Sequence, residues 1–122
     1  MQNTDININN YLKVYDRIIQ VKSINGDFIE YLPNDGQYEI SKLKSIELTK
    51  NWLLKFDFKE DDKGLFFDIL KDASSVKIRF MFNKFPLVLD IDGNRCPLFH
   101  IKNVHQLQNF ASGWNVKLSA EF

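Results

Sequence analysis

The chain of 122 residues has a single cysteine, Cys96. One thiol forms no internal disulfide and no multi-cysteine zinc site, and such usage suits a reducing compartment. Net charge is missing as well, because sixteen Lys and Arg balance sixteen Asp and Glu. No global field therefore draws the chain to nucleic acid or to an anionic membrane, although a local basic patch is compatible with neutrality. Neutrality also weakens the safeguard against association, which favours a protein partner or self-association. No apolar run approaches a membrane span, and the start, M-Q-N-T-D-I-N-I-N-N, has neither the basic nor the apolar region of a signal peptide. The expectation is a cytoplasmic protein without membrane contact. Glycine-rich phosphate loops, G-x-S-x-G and H-E-x-x-H are absent, as are repeats and Pro/Ser linkers.

Aromatic residues are plentiful. They make up 14% of the chain, and eleven are Phe. Large rings bury much area each, so one domain of this length can build a core without metal or disulfide support. The densest apolar stretch is Leu48–Phe58, L-T-K-N-W-L-L-K-F-D-F. Thr49 is placed to cap a helix there, with Leu48 and Leu53 at the spacing of a hydrophobic staple. Trp52, Leu53 and Phe56 recur at helical spacing as one buried structural stripe, with Lys50, Asn51 and Lys55 toward solvent.

That helix divides the chain. Residues 1–10 are polar and Asn-rich and read as flexible. Residues 11–47 form a strand-rich lobe: Tyr11–Val21, then Asn25-Gly26, a hairpin signal, then Asp27–Leu32, Gln37–Ile40 and Ser45–Leu48. A turn centred on Asn25-Gly26 sets Ser23 opposite Phe28 and Val21 opposite Glu30. Such a meander of short strands suggests a small SH3-like barrel. Residues 48–122 form an α+β lobe, with Glu60–Gly64 a charged, solvated turn and strands at Leu65–Leu70, Val76–Phe82 and Pro86–Ile91. Val76, Ile78, Phe80 and Phe82 share one face of the second of these. Asp92-Gly93 marks another hairpin, setting Leu89 opposite Cys96 and pairing Asp90 with Arg95 across strands. Pro97 argues for an edge. A last helix starts at Asn103, with Gln106 completing part of a capping box; Gly113 is its expected stop, and Trp114, Val116 and Leu118 alternate as a closing strand. The fold class is α+β: an N-terminal strand meander, a short helix, further antiparallel strands and a C-terminal helix.

Signs of catalysis are weak. Asp90-Ile91-Asp92-Gly93-Asn94 lacks the ligand spacing and bidentate Glu of a calcium loop. Asp57-Phe58-Lys59 and Asp61-Asp62-Lys63 imitate a nuclease tail without further carboxylates to hold metal. Cys96 and His100, four apart on a strand, lie about 13 Å from each other, too far for a nucleophile and its base; Cys96 reads as a small core residue. No catalytic set, metal site or cofactor is predicted. The run Lys77–Phe85 has the composition of an RNA-recognition strand but the wrong parity, since Lys77 and Arg79 oppose Phe80 and Phe82. His105, Gln108 and Asn109 form one polar stripe on the last helix, suited either to satisfying backbone groups or to recognising a partner.

Two stretches, Leu48-Thr49-x-x-Trp52-Leu53-Leu54-Lys55-Phe56-x-Phe58 and Val104-His105-Gln106-Leu107-Gln108-Asn109, resemble paired signatures in a family of small uncharacterised proteins of Bacteroidota phages, prophages and mobile elements. The chain departs from that pattern with Asp57 where relatives usually carry Gly, and with an altered helix end at Ala111–Trp114. The resemblance implies a setting, the cytosol of a bacterial host, and no mechanism. The expected function is a non-enzymatic protein-interaction or accessory module, with His105, Gln108 and Asn109 as candidate partner contacts. The alternative is a nucleic-acid-binding small barrel using Lys13, Arg17, Lys22, Lys77 and Arg79.

Overall fold

The computed structural model describes residue 1 and residues 5–33, 36–70 and 75–120. Two antiparallel sheets and two helices make an α+β fold with N-terminal strands and a C-terminal helix. The chain forms two compact units, Met1–Glu47 with Asn103–Asn109, and Leu48–Lys102 with Phe110–Phe122. No helix among the described residues is long and apolar enough to cross a membrane.

The first unit is a four-stranded meander in sequential order: β1 (Tyr11–Val14), β2 (Arg17–Asn25), β3 (Phe28–Leu32) and β4 (Gly36–Glu39). Its core gathers Leu12, Val14, Ile19, Val21 and Ile29 with Ile6, Ile40 and Leu43. Ile6 and Asn10 of the Asn-rich start are buried, whereas Ile8 is exposed. Tyr15-Asp16 turns β1 into β2, with Val14 opposite Arg17. The next hairpin departs from the register expected for it. Asn25 pairs with Phe28 and Ser23 with Glu30, so the loop residues are Gly26 and Asp27. Gly26 at φ 63° occupies the first loop position, where a glycine-first hairpin turn needs it. A bulge between Val21 and Ser23 then shifts the pairing again, to Val21 opposite Tyr31. After β4 a single 3-10 turn (Ile40–Lys42) brings the chain back to β1, where Lys44 forms an isolated bridge with Lys13. The strand expected at Ser45–Leu48 is absent; bridges at Lys44 and Glu47 stand in its place.

The second unit opens with α1 (Lys50–Lys55), capped by Thr49, whose hydroxyl accepts from the Trp52 amide at 3.4 Å. Trp52, Leu53 and Phe56 are buried, and the Trp52 and Phe56 rings lie 5.7 Å apart. The helix ends in a Schellman motif: the Phe58 amide donates to the Leu53 carbonyl and the Asp57 amide to the Leu54 carbonyl, both at 3.1 Å. Asp57 itself sits at φ 67°.

A five-stranded sheet follows in sequential order: β5 (Lys59–Asp61), β6 (Gly64–Leu70), β7 (Val76–Met81), β8 (Val88–Ile91) and β9 (Asn94–Pro97). β5 is a strand where only a solvated turn was expected; Lys59, Glu60 and Asp61 pair with Phe66, Leu65 and Gly64, leaving Asp62-Lys63 as the turn. Gly64, at φ 123°, permits close approach, since a Cβ there would lie 2.2 Å from the Phe80 carbonyl oxygen. Leu65, Ile69, Val76, Ile78 and Phe80 face inward with Leu87 and Leu98. Phe82 leaves that face: the strand ends at Met81, and Phe82 is 64% exposed. The Asp92-Gly93 hairpin has the expected register, with both residues at positive φ, Leu89 opposite Cys96 and Asp90 opposite Arg95. β9 is an edge strand and carries Pro97, as the missing amide requires. Cys96 is exposed there, correcting its assignment to the core.

The last helix, α2 (Val104–Ser112), has the predicted half of a capping box, the Asn103 amide donating to Gln106 Oε1 at 2.9 Å. It stops at Ser112, immediately before Gly113 as expected, and one further turn follows. The left-handed residue is Asn115, at φ 61°, while the Val116 amide reaches the Ala111 carbonyl and the Asn115 amide the Ser112 carbonyl. Gly113 thus opens that turn, and no strand forms over Trp114–Leu118.

Candidate interaction surfaces

The polar stripe of α2 lies in the first unit, and it is engaged there. Gln108 is buried; its Oε1 accepts from the Tyr11 amide at 2.8 Å and its Nε2 donates to the Asn9 carbonyl at 2.9 Å. Asn109 Oδ1 accepts from Asn10 Nδ2 at 2.8 Å, and Asn109 Nδ2 donates to the Asp5 carbonyl at 3.2 Å. Two primary amides on adjacent residues thus serve the Asp5 and Asn9 carbonyls, the Asn10 side chain and the Tyr11 amide, along the irregular strap that leads into β1. His105 is buried too, and its Nδ1 has no hydrogen-bond partner among the described residues. Burial lowers its pKa, partly offset by the Asp5 carboxylate.

The five basic residues of the nucleic-acid reading fall in both units. Lys77 and Arg79 are in the second, on the outward face of β7, where they meet carboxylates. Lys77 is paired with Asp68, and Arg79 donates through Nε to Asp90 at 2.8 Å and through Nη1 to Asp61 at 2.9 Å. The Phe66 ring lies beside both cations, 5.2 Å from Lys77 Nζ and 5.6 Å from the Arg79 guanidinium carbon. Arg79 is consequently only 8% exposed. Asp90 faces Arg95 in register, but its ion pair is with Arg79, two positions along the neighbouring strand, a diagonal within reach of a long side chain. The Arg79 hydrogen bond leads in lowering the Asp61 pKa; burial works against ionisation of Asp90, yet Arg79 and the Gly93 amide bring its pKa down as well. Asp92 accepts from the Ser75 amide at 2.8 Å. The acidic groups of these turns thus hold the sheet together. Among the described residues no cluster of three or more His, Cys, Asp or Glu is arranged to hold a metal ion.

Lys13, Arg17 and Lys22 belong to the first unit. Lys13 stands directly opposite Lys44, their backbones exchanging hydrogen bonds at 2.8 and 3.1 Å. Three tyrosines of the same unit, which sequence reasoning passed over, gather around Tyr38. Tyr15, at φ 55° in the β1–β2 turn, stacks edge-on against Tyr38 with centroids 6.0 Å apart. Tyr31 and Lys42 lie close enough to act on the Tyr38 hydroxyl, whose pKa is raised by partial desolvation and by Tyr15. Tyr38 and Tyr31 pack on the core cluster, so this platform is seated on the body of the unit. A turn without Gly or Asn is the signal that hid it.

In the second unit the exposed rings are Phe82, Phe85 at 47% and Phe99 at 68%. Phe82 and Asn83 are consecutive left-handed residues, at φ 53° and 58°, held by the Phe82 amide donating to the Lys63 carbonyl at 2.6 Å. Phe85 stacks on buried Phe80 at 4.7 Å. The Leu98 amide donates to the Leu87 carbonyl, so Phe99 follows at the same end of the sheet as Pro86. A shallow groove of about 450 Å³ lies elsewhere, between the end of α1 and the β5–β6 hairpin, lined by Leu54, Phe58 and Phe66 among others. Comparison of the chain with protein-family models, curated proteins and solved structures finds no match.

Proposed function

We propose that the protein is a non-enzymatic interaction module, encoded by a phage or mobile element of Bacteroidota and acting in the host cytosol through contact with another protein or a second copy. The observation that carries this reading is Phe82, exposed at a left-handed backbone position, in a unit that also leaves Phe85 and Phe99 exposed. A bulky residue at positive φ costs about 1–3 kcal/mol, and Phe82 recovers little of it by burial. Glycine or asparagine would make the same turn without that cost, so the ring serves something outside the fold. Exposed aromatic anchors of this kind are characteristic of the centres of protein interfaces. On the same reading the four-stranded unit, with its 3-10 turn returning to β1, is an SH3-like small barrel.

The test is affinity capture from lysogenic or infected cells, together with sedimentation of the purified protein. A reproducible partner or dimer is expected, lost in Phe82→Asn and Phe99→Ser while the melting temperature is kept. Neither a partner nor self-association, or a partner retained by both variants, refutes the reading.

A further inference from the structure

The groove of about 450 Å³ in the second unit takes no part in the protein contact proposed above, and its volume is that of a small-molecule site. One wall is the end of α1 and the residues after it, Leu54, Asp57, Phe58 and Lys59; the other is Phe66, Phe67 and Asp68 of β6. The ladder between β5 and β6 stops at Lys59 opposite Phe66, so Phe67 and Asp68 have no strand on that side. The Phe82 amide, bonded to the Lys63 carbonyl, fixes the alternation along β6. Asp68 therefore turns its own amide and carbonyl toward the uncovered side. Apolar surface comes from Leu54, 47% exposed, and from the Phe58 and Phe67 rings, whose centroids lie 5.4 Å apart.

Two charges at this groove are unused by the fold. Asp57 and Lys59 are exposed, and neither side chain has a hydrogen bond or ion pair among the described residues. Asp68, by contrast, is held by Lys77. Asp57 also stands at φ 67°, a conformation that glycine holds at lower cost, so its carboxylate is not kept for the turn itself. A purely apolar ligand would strip water from Asp57 and Lys59 and return nothing. A cation would leave Lys59 uncompensated beside it, and an anion would do the same to Asp57. The interior of a peptide carries no pair of opposite charges on one residue. A small molecule with both charges and an apolar body matches every wall of the groove.

From this juxtaposition we propose that the groove binds a free α-amino acid with an apolar or aromatic side chain. Its ammonium lies on the Asp57 carboxylate, its carboxylate on the Lys59 ammonium, and its side chain against Leu54, Phe58 and Phe67. The groove is shallow and its charges are exposed, so binding is weak. About twelve heavy atoms at the efficiency of drug-sized ligands give a dissociation constant on the order of 1 mM. The site is independent of Phe82.

Titration of the isotope-labelled full chain with L-phenylalanine, followed by amide chemical shifts, tests it. Shifts are expected at Leu54, Asp57, Lys59, Phe67 and Asp68, approaching saturation at about 10 mM ligand. The methyl ester and the N-acetyl derivative each lack one charge, and both are expected to bind about threefold more weakly, as suits exposed ion pairs. Asp57→Asn keeps a residue tolerant of positive φ and retains stability. It is expected to weaken L-phenylalanine about threefold and to leave N-acetyl-L-phenylalanine unaffected. Lys59→Gln weakens L-phenylalanine to the same extent and leaves the methyl ester unaffected, whereas Phe82→Asn alters none of these affinities. Absence of saturable shifts at the groove, equal affinity for all three ligands, or full affinity for L-phenylalanine in Asp57→Asn would each overturn the proposal.

Discussion

Asp57 offers a sharp test of the local energetics. It is the left-handed residue that ends α1, at φ 67°, and its exposed side chain makes no hydrogen bond or ion pair among the described residues. Three contributions act on a replacement. Relief of the left-handed conformation favours glycine by about 1–2 kcal/mol relative to an ordinary L-residue, less for Asp, which tolerates it better. Removing a negative charge from a helix C-terminus adds about 0.3 kcal/mol, at the low end because α1 is short. Against these, glycine frees the unfolded chain at a cost of about 0.5–1 kcal/mol. The balance for Asp57→Gly is a gain of about 0.5 kcal/mol, and for Asp57→Asn about 0.3 kcal/mol, from the charge alone. Asp57→Ala is expected to lose about 0.5 kcal/mol, since alanine retains the strain without the local tolerance of Asp. Urea unfolding followed by tryptophan fluorescence is the assay, because both tryptophans, Trp52 and Trp114, lie in the second unit. The order Gly, Asn, Asp, Ala from most to least stable is the expected result. An alanine variant as stable as the glycine variant would refute the argument from backbone conformation.

Four further variants test the packing and its buried charges. Trp52→Ala should destabilise the second unit by about 3–5 kcal/mol, as for large-to-small changes in a core; a parental melting curve would make Trp52 a surface anchor instead. Arg79→Met leaves buried Asp90 without its cation and should cost about 3 kcal/mol, while Asp90→Asn should flatten the acid limb of a stability profile. The sign follows from the lowered pKa of Asp61 and Asp90: their contribution is complete above the unfolded carboxylate pKa, near 4, and fades as pH falls through the folded values. His105 also has a lowered pKa, so the unfolded chain takes up its proton first and stability declines as pH drops below about 6.5. His105→Gln should remove that decline between pH 7 and 5 in calorimetric melts, and an identical slope in the variant would exclude His105 as its source.

Much of the framework was legible in the residues themselves because local chemistry decides it. Thr49 caps a helix wherever the following residues are helical, and Asp92-Gly93 dictates a two-residue turn because both positions need positive φ. The partial capping box at Asn103 and Gln106 belongs to the same class. Asn25-Gly26 shows the limit of such signals. It announces a hairpin, but Gly26 with Asp27 makes an equally good loop, and the choice displaces every cross-strand pair.

The remainder depended on partners distant in sequence. Lys59–Asp61 became a strand because β6 offers it a hydrogen-bonding edge, which no apolar alternation within three charged residues could announce. Phe82 left the inward face because the backbone turns after Met81. Arg79 looked like a free cation until Asp61 and Asp90 arrived from two other strands. The chain by itself determined the two helices, their N-terminal caps, the Asp92-Gly93 turn and the absence of any recognisable catalytic motif, since those follow from residues a few positions apart. Whether a polar or aromatic side chain is buried, neutralised or left facing water was decided only by the tertiary fold. His105, Gln108 and Asn109 could be read as a polar stripe, but the groups that Gln108 and Asn109 satisfy lie about one hundred residues away, and long-range pairing of that kind carries no local signature.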